Sequence, residues 1–105
     1  MQAFPNFGRL TEAIRFERDT GGGWNPYLTT RAELIPEMGN EVIKAESTRP
    51  TVRVRFRIRY ASLLARIDTR EIRVLHGDDI YNVMYVEDDH NRHVQMYVVC
   101  TREDR

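Results

Sequence analysis

Residues 51–60 read TVRVRFRIRY, with Val52, Val54, Phe56 and Ile58 on one side of an unbroken alternation and Arg53, Arg55, Arg57 and Arg59 on the other. Successive side chains of a β-strand point to opposite faces, so this period of two predicts a strand with one apolar face and one face of guanidinium groups. A slip of one residue in its pairing would turn the arginines into the core. This strand therefore sets the register of the sheet it joins. Its cationic face calls for acidic neighbours on adjoining strands, an anionic partner or open solvent, and the functional question turns on which of these it meets.

The rest of the chain limits the answer. A length of 105 residues allows one small domain with a single modest core. The 16 basic and 16 acidic residues cancel, which argues against a dedicated nucleic-acid binder, whose footprint is a clear basic excess. A 41% hydrophobic fraction is enough to fold, and with 30% charged residues most of the charge must lie outside. Cys100 is the only cysteine, so no intrachain disulfide forms and a reducing compartment is expected. No apolar run approaches the roughly 20 residues of a membrane span, and the opening MQAFPNFGRL lacks a signal-peptide core. The expectation is a soluble, cytoplasmically made chain with no membrane contact.

Outward from the central strand, the pattern predicts five more strands. Leu10, Ile14 and Phe16 suggest a first strand over residues 11–18, followed by a loop at Gly21, Gly22 and Gly23 that lacks the spacing of a phosphate-binding loop. Leu28, Thr30, Ala32 and Leu34 alternate through a second strand over residues 27–35, which Pro36 ends. Residues 36–50 lack strand alternation, and Asn40 is placed to cap a short helix over residues 41–46. Loops of that length in small domains are usually functional or disordered. Leu63, Leu64 and Ile67 fit a helical turn or apolar crossover over an open sheet end. Three shorter strands follow over residues 71–76, 80–87 and 93–101, with turns at Gly77-Asp78-Asp79 and at residues 88–92 and a charged tail, residues 102–105, expected to fray. Six strands, no repeat and no domain boundary point to a single domain, residues 1–105: all-β, mainly antiparallel, a small barrel or sandwich with a short helix or long mobile loop between its second and third strands.

Candidate chemistry is sparse. His90 and His93 beside Asp88 and Asp89 give only a weak metal-ligand spacing, and a solvated acidic hairpin tip is the simpler reading, so no metal and no cofactor are expected. Cys100 in an apolar strand reads as a small core residue rather than a nucleophile, and no hydrolase signature accompanies it. Trp24, Tyr27, Tyr60, Tyr81, Tyr85 and Tyr97 are as readily core or interface residues as base-stacking platforms.

The order of elements resembles a known family. Gly8-Arg9-Leu10, Gly22-Gly23-Trp24, Ala32-Glu33 with Pro36, and the Gly39-Asn40-Glu41 turn are similar to the first half of the head-tail joining (head closure, or stopper) proteins of tailed bacteriophages and related particles. The second half carries the rest of the resemblance: the alternation from Arg55 to Tyr60, Asp68-Thr69-Arg70, Arg73-Val74 with Gly77, Ile80-Tyr81-Asn82-Val83, and the stretch from Val94 to Cys100 with Glu103. Nearly the whole chain is covered. Arg31 is a departure, because members of that family often carry Trp just before the alanine that is Ala32 here.

The resemblance implies a virion protein assembled in a host bacterial cytoplasm, with no enzymatic activity. It would form a homo-oligomeric ring between a portal or adaptor protein above and a tail or tail-terminator protein below, closing the DNA-filled head and touching packaged DNA non-specifically. On that reading the channel loop comprises Glu37, Met38, Gly39, Asn40, Glu41, Val42, Ile43, Lys44, Ala45, Glu46 and Ser47, and the subunit interface Arg53, Arg55, Arg57 and Arg59. Strands bearing Glu12, Glu17, Glu33 and Glu71 would supply the complementary charge. Two other classes remain at this stage: a single-stranded nucleic-acid-binding barrel in which the four arginines track phosphates, and a small cupin-like or hydrolytic enzyme.

Overall fold

The computed structural model describes residues 7–37 and 51–103. Six strands are present: β1 (Glu12–Asp19), β2 (Trp24–Pro36), β3 (Thr51–Arg59), β4 (Ile72–His76), β5 (Asp79–Asp88) and β6 (Gln95–Glu103). They hydrogen-bond in the order β1-β2-β3-β6-β5-β4, every neighbouring pair antiparallel. The sheet then closes on itself, with Arg15 opposite Leu75, Phe16 opposite Val74 and Arg18 opposite Ile72 between β1 and β4. The segment 51–60 is central as its alternation requires: β3 is paired along its length with β6 and over its second half with β2.

The period of two sorts each strand into lumen and exterior. Ile14 and Phe16 of β1, Ala32 of β2, Val54, Phe56 and Ile58 of β3, Ile72 and Val74 of β4, Tyr81 and Val83 of β5, and Met96, Val98 and Cys100 of β6 form one core. Phe56 spans the lumen: its ring meets Tyr81 edge-on at 5.3 Å between centroids and His76 at 5.8 Å. Such aromatic pairs add about 0.5–1.5 kcal/mol beyond area burial. The apolar crossover is present as a single 3₁₀ turn, Ser62–Leu64, whose Leu64 is buried against the core. Tyr27 Oη donates to the Leu63 carbonyl at 2.7 Å and the Ala61 amide to Met96 Sδ at 3.3 Å, which fixes that turn in place.

Three boundaries differ by two residues or more from those the sequence suggests. β2 begins three residues early, at Trp24, because the ladder with β1 continues past a bulge at Phe16/Glu17 to Asp19 opposite Trp24. β6 begins at Gln95 rather than His93. The preceding turn holds three non-glycine residues at positive φ, His90 (53°), Asn91 (55°) and His93 (57°), so the chain reaches extended geometry later and Val94 is left exposed. Arg102 and Glu103 do not fray but extend β6, with Thr51 opposite Glu103. Val99, on the outer row, is also completely buried, between Arg55 of β3 and Tyr85 of β5.

The β4–β5 hairpin turns through Gly77 and Asp78, and Gly77 has φ +58°, a value the primed hairpin turns require and glycine adopts without strain. The short helix or mobile loop expected between the second and third strands lies outside the described residues, as do Met38, Gly39, Asn40, Glu41, Val42, Ile43, Lys44, Ala45, Glu46 and Ser47. Among the described residues no helix is long and apolar enough to cross a membrane.

Candidate functional site

The four arginines of β3 do share the outer row, and the ladder registers dictate what each meets. Arg57 lies opposite Glu33 on β2 and Tyr97 on β6. Its Nε donates to Glu33 Oε1 at 2.8 Å and its Nη1 to Gln95 Oε1 at 3.0 Å, and only 7% of the residue is exposed. Gln95 in turn donates to Asp89 Oδ2 at 2.6 Å, extending the polar network to the β5–β6 turn. Arg53 Nε lies 2.9 Å from Glu37 Oε2 and Arg55 Nε 3.7 Å from Glu37 Oε1, so one carboxylate serves two guanidiniums. Arg55 also lies over the Tyr97 ring, 4.8 Å from its centroid. Of the three choices posed by the cationic strand, acidic neighbours therefore answer for Arg53, Arg55 and Arg57.

The acids assigned by sequence to a complementary surface are also engaged within the chain. Glu17 is buried and accepts from Arg15 at 3.0 Å and from Arg73 Nε at 2.9 Å, and Arg73 lies over the Trp24 ring at 4.4 Å. Glu71 accepts from Arg18 at 2.9 Å, and Glu12 faces His76 Nε2 at 3.0 Å. Partly exposed pairs of this kind contribute about 0–1 kcal/mol each, so they mask charge more than they stabilise. Asp68, held by Arg70 through its side chain and backbone amide, has its carboxyl pKa lowered below the ordinary value.

Arg59 differs from its three companions. It is exposed, meets no carboxylate among the described residues, and lies 4.4 Å over the ring of Phe7. Phe7 and Leu10 with Thr30, Arg31 and Arg59 line a pocket of about 200 Å³. Arg31, the departure in the family pattern, occupies this pocket wall and donates from Nη1 to the Thr11 carbonyl at 3.1 Å.

The remaining candidates disperse. Tyr81 is buried, Tyr27 is bonded to Leu63, Tyr60 packs on His93 at 4.7 Å, and Tyr97 and Trp24 lie under arginines, so these aromatics form no continuous stacking platform. His93 Nδ1 lies 2.6 Å from Asp88 Oδ2 and His90 Nδ1 2.8 Å from Asp89 Oδ1. Among the described residues no three His, Cys, Asp or Glu side chains converge as a metal site would need. Cys100 is fully buried, and desolvation pushes its thiol up to about 12, far from a reactive thiolate. Sequence reasoning overlooked the Phe7 pocket. The available signal was Arg31, the one departure noted in the resemblance.

No curated protein matches the sequence. A chain in a solved structure titled "Virion of native gene transfer agent (GTA) particle" shares the fold, with a TM-score of 0.69 at 22% identity over 91% of this chain and 96% of that one. The family described as phage head completion protein matches residues 5–103, and the chain accordingly belongs to that family, as a structural protein of the phage head.

Proposed function

We propose that this chain is the ring-forming subunit of the head-tail connector, closing the DNA-filled head beneath the portal or its adaptor and presenting a surface to the tail. The observation that carries this reading is the family match, which spans residues 5–103. The virion title of the structural neighbour supports it. The architecture is suited to the task. In a closed barrel every strand has a neighbour on each side, which favours association of copies through outward side chains and loops over the addition of strands to one another.

The segment that leaves β2 and returns to β3 is the proposed gate: Glu37, Met38, Gly39, Asn40, Glu41, Val42, Ile43, Lys44, Ala45, Glu46 and Ser47. Its base is held at Glu37, whose amide donates to the Arg53 carbonyl at 3.1 Å while its carboxylate faces Arg53 and Arg55. Arg53 and Arg55 thus serve the loop base, Arg57 ties β2 to β6, and Arg59 remains for contact between subunits. The test replaces residues 38–47 by a Gly-Ser linker and keeps Glu37. Loop-length changes alter closure entropy only slowly, so the barrel is expected to fold as before. Particles should then carry the ring yet lose their DNA. Full heads with the ring present would place the seal in another protein.

A further inference from the structure

Among the described residues most charges are paired, and of the arginines that meet no carboxylate Arg9, Arg66 and Arg92 lie outside the strands while two stand together on the barrel wall. Arg31 and Arg59 meet no carboxylate. Ala32 is opposite Ile58, so one further step of that register sets Arg31 against Arg59 on the outer row of β2 and β3. Like charges directly opposite on a sheet repel. These two line one pocket of about 200 Å³ with an apolar wall of Phe7 and Leu10, which holds the repulsion in place and leaves room for one small anionic group.

The opposite side of the barrel has the inverse character. In the closed order β1-β2-β3-β6-β5-β4, β5 is three strands from β2 in either direction. Of the carboxylates whose side chains are described, Asp78 and Glu87 have no partner, and they flank β5 at the turn before it and near its end. Glu87 stands on the outer row, opposite Tyr97, and the same strand exposes Ile80, Met84 and Tyr85, each more than two-fifths accessible. Asp78 stands at a hairpin tip without that apolar surround.

We infer that the Arg31/Arg59 pocket receives Glu87 of a second copy of this chain, with Met84 and Tyr85 of that copy covering the Phe7 and Leu10 wall. The contact is head to tail, a different patch on each partner, which is the arrangement that closes a ring. It rests on the ring reading above and names the surfaces that reading lacked. A phosphate track is the poorer occupant. Backbone binding needs successive unneutralised cations, and along β3 the neighbouring Arg57, Arg55 and Arg53 are already held by Glu33 and Glu37.

The test uses the full chain in assembling particles, with the ring read from averaged electron micrographs. Arg31→Glu with Arg59→Glu should lose the ring, as should Glu87→Arg, and a chain carrying all three substitutions should regain it. Glu87→Gln, at an exposed side chain with no intramolecular partner among the described residues, guards against misfolding and should also lower ring occupancy. Rings of normal occupancy in every one-sided variant would overturn the inference while leaving the ring reading intact. Particles of the unaltered chain without a ring would overturn both. Loss of binding to a short DNA duplex by the arginine variant, with its rings unchanged, would assign the pocket to phosphate. Failure of Asp78→Arg to form rings while Glu87→Arg forms them would move the contact to the other end of β5 and overturn the pairing as stated.

Discussion

Arg57 and Glu33 face each other across the β2–β3 ladder with 2.8 Å between Nε and Oε1, and the guanidinium is almost wholly covered although it lies on the outside of the barrel. Removing Glu33 takes away the carboxylate that faces this covered guanidinium. Glu33→Leu is expected to destabilise the domain by about 2–4 kcal/mol, and Glu33→Leu with Arg57→Leu by less than the single change. Urea unfolding of the three chains measures this. A double-variant loss as large as or larger than that of Glu33→Leu would show that the stranded guanidinium is not what the single change costs.

Phe56 joins β3 to β4 and β5 through His76 and Tyr81. Phe56→Ala should cost about 3–5 kcal/mol, because the cavity lies where three strands converge and cannot collapse without moving the ladder. A loss of that size approaches the whole stability of a small domain. Thermal unfolding by circular dichroism should show a large fall in midpoint. Phe56→Leu should recover most of it.

Cys100 has its pKa raised from 9.0 to about 12 by burial, so the folded state holds its proton more tightly than the unfolded one. The stability this contributes is complete below about pH 9 and is lost as pH rises from 9 towards 12. Iodoacetamide labelling followed by mass spectrometry should accordingly proceed only through global unfolding, slow in buffer and accelerating in step with the urea transition. Rapid labelling of the folded chain at pH 8 would contradict the buried placement.

Asn91 sits at φ 55° in the β5–β6 turn, a conformation that β-branched residues strongly resist. Asn91→Val should cost about 1–2 kcal/mol, whereas Asn91→Gly should be nearly neutral or slightly stabilising. Comparing the two midpoints separates backbone strain from loss of the side chain.

Much of this architecture was legible because β alternation is a direct projection of sequence onto two faces. Val54, Phe56 and Ile58, or Met96, Val98 and Cys100, can be assigned to a lumen with no knowledge of their partners. The pairing of charges across strands was not legible in the same way. That Glu33 belongs to Arg57, and Glu17 to Arg73 from 56 positions away, depends on the order and register of the strands, which alternation does not encode. Val99 shows the same limit, since its outward position reads as exposed and only the neighbouring Arg55 and Tyr85 cover it. The turn expected at residues 88–92 runs on through His93, because His tolerates left-handed geometry without announcing it as glycine would.

The rings of Phe56, His76 and Tyr81 meet inside the barrel, and Phe16, Met96 and Leu64 fill the space around and beneath them. The cylinder is therefore a solid plug, not a pipe. On the ring reading proposed above, a DNA duplex would pass beside these barrels and not through them. The bore of such a ring would then be a property of how many copies stand in it and how they lean, and it could change without unfolding any of them.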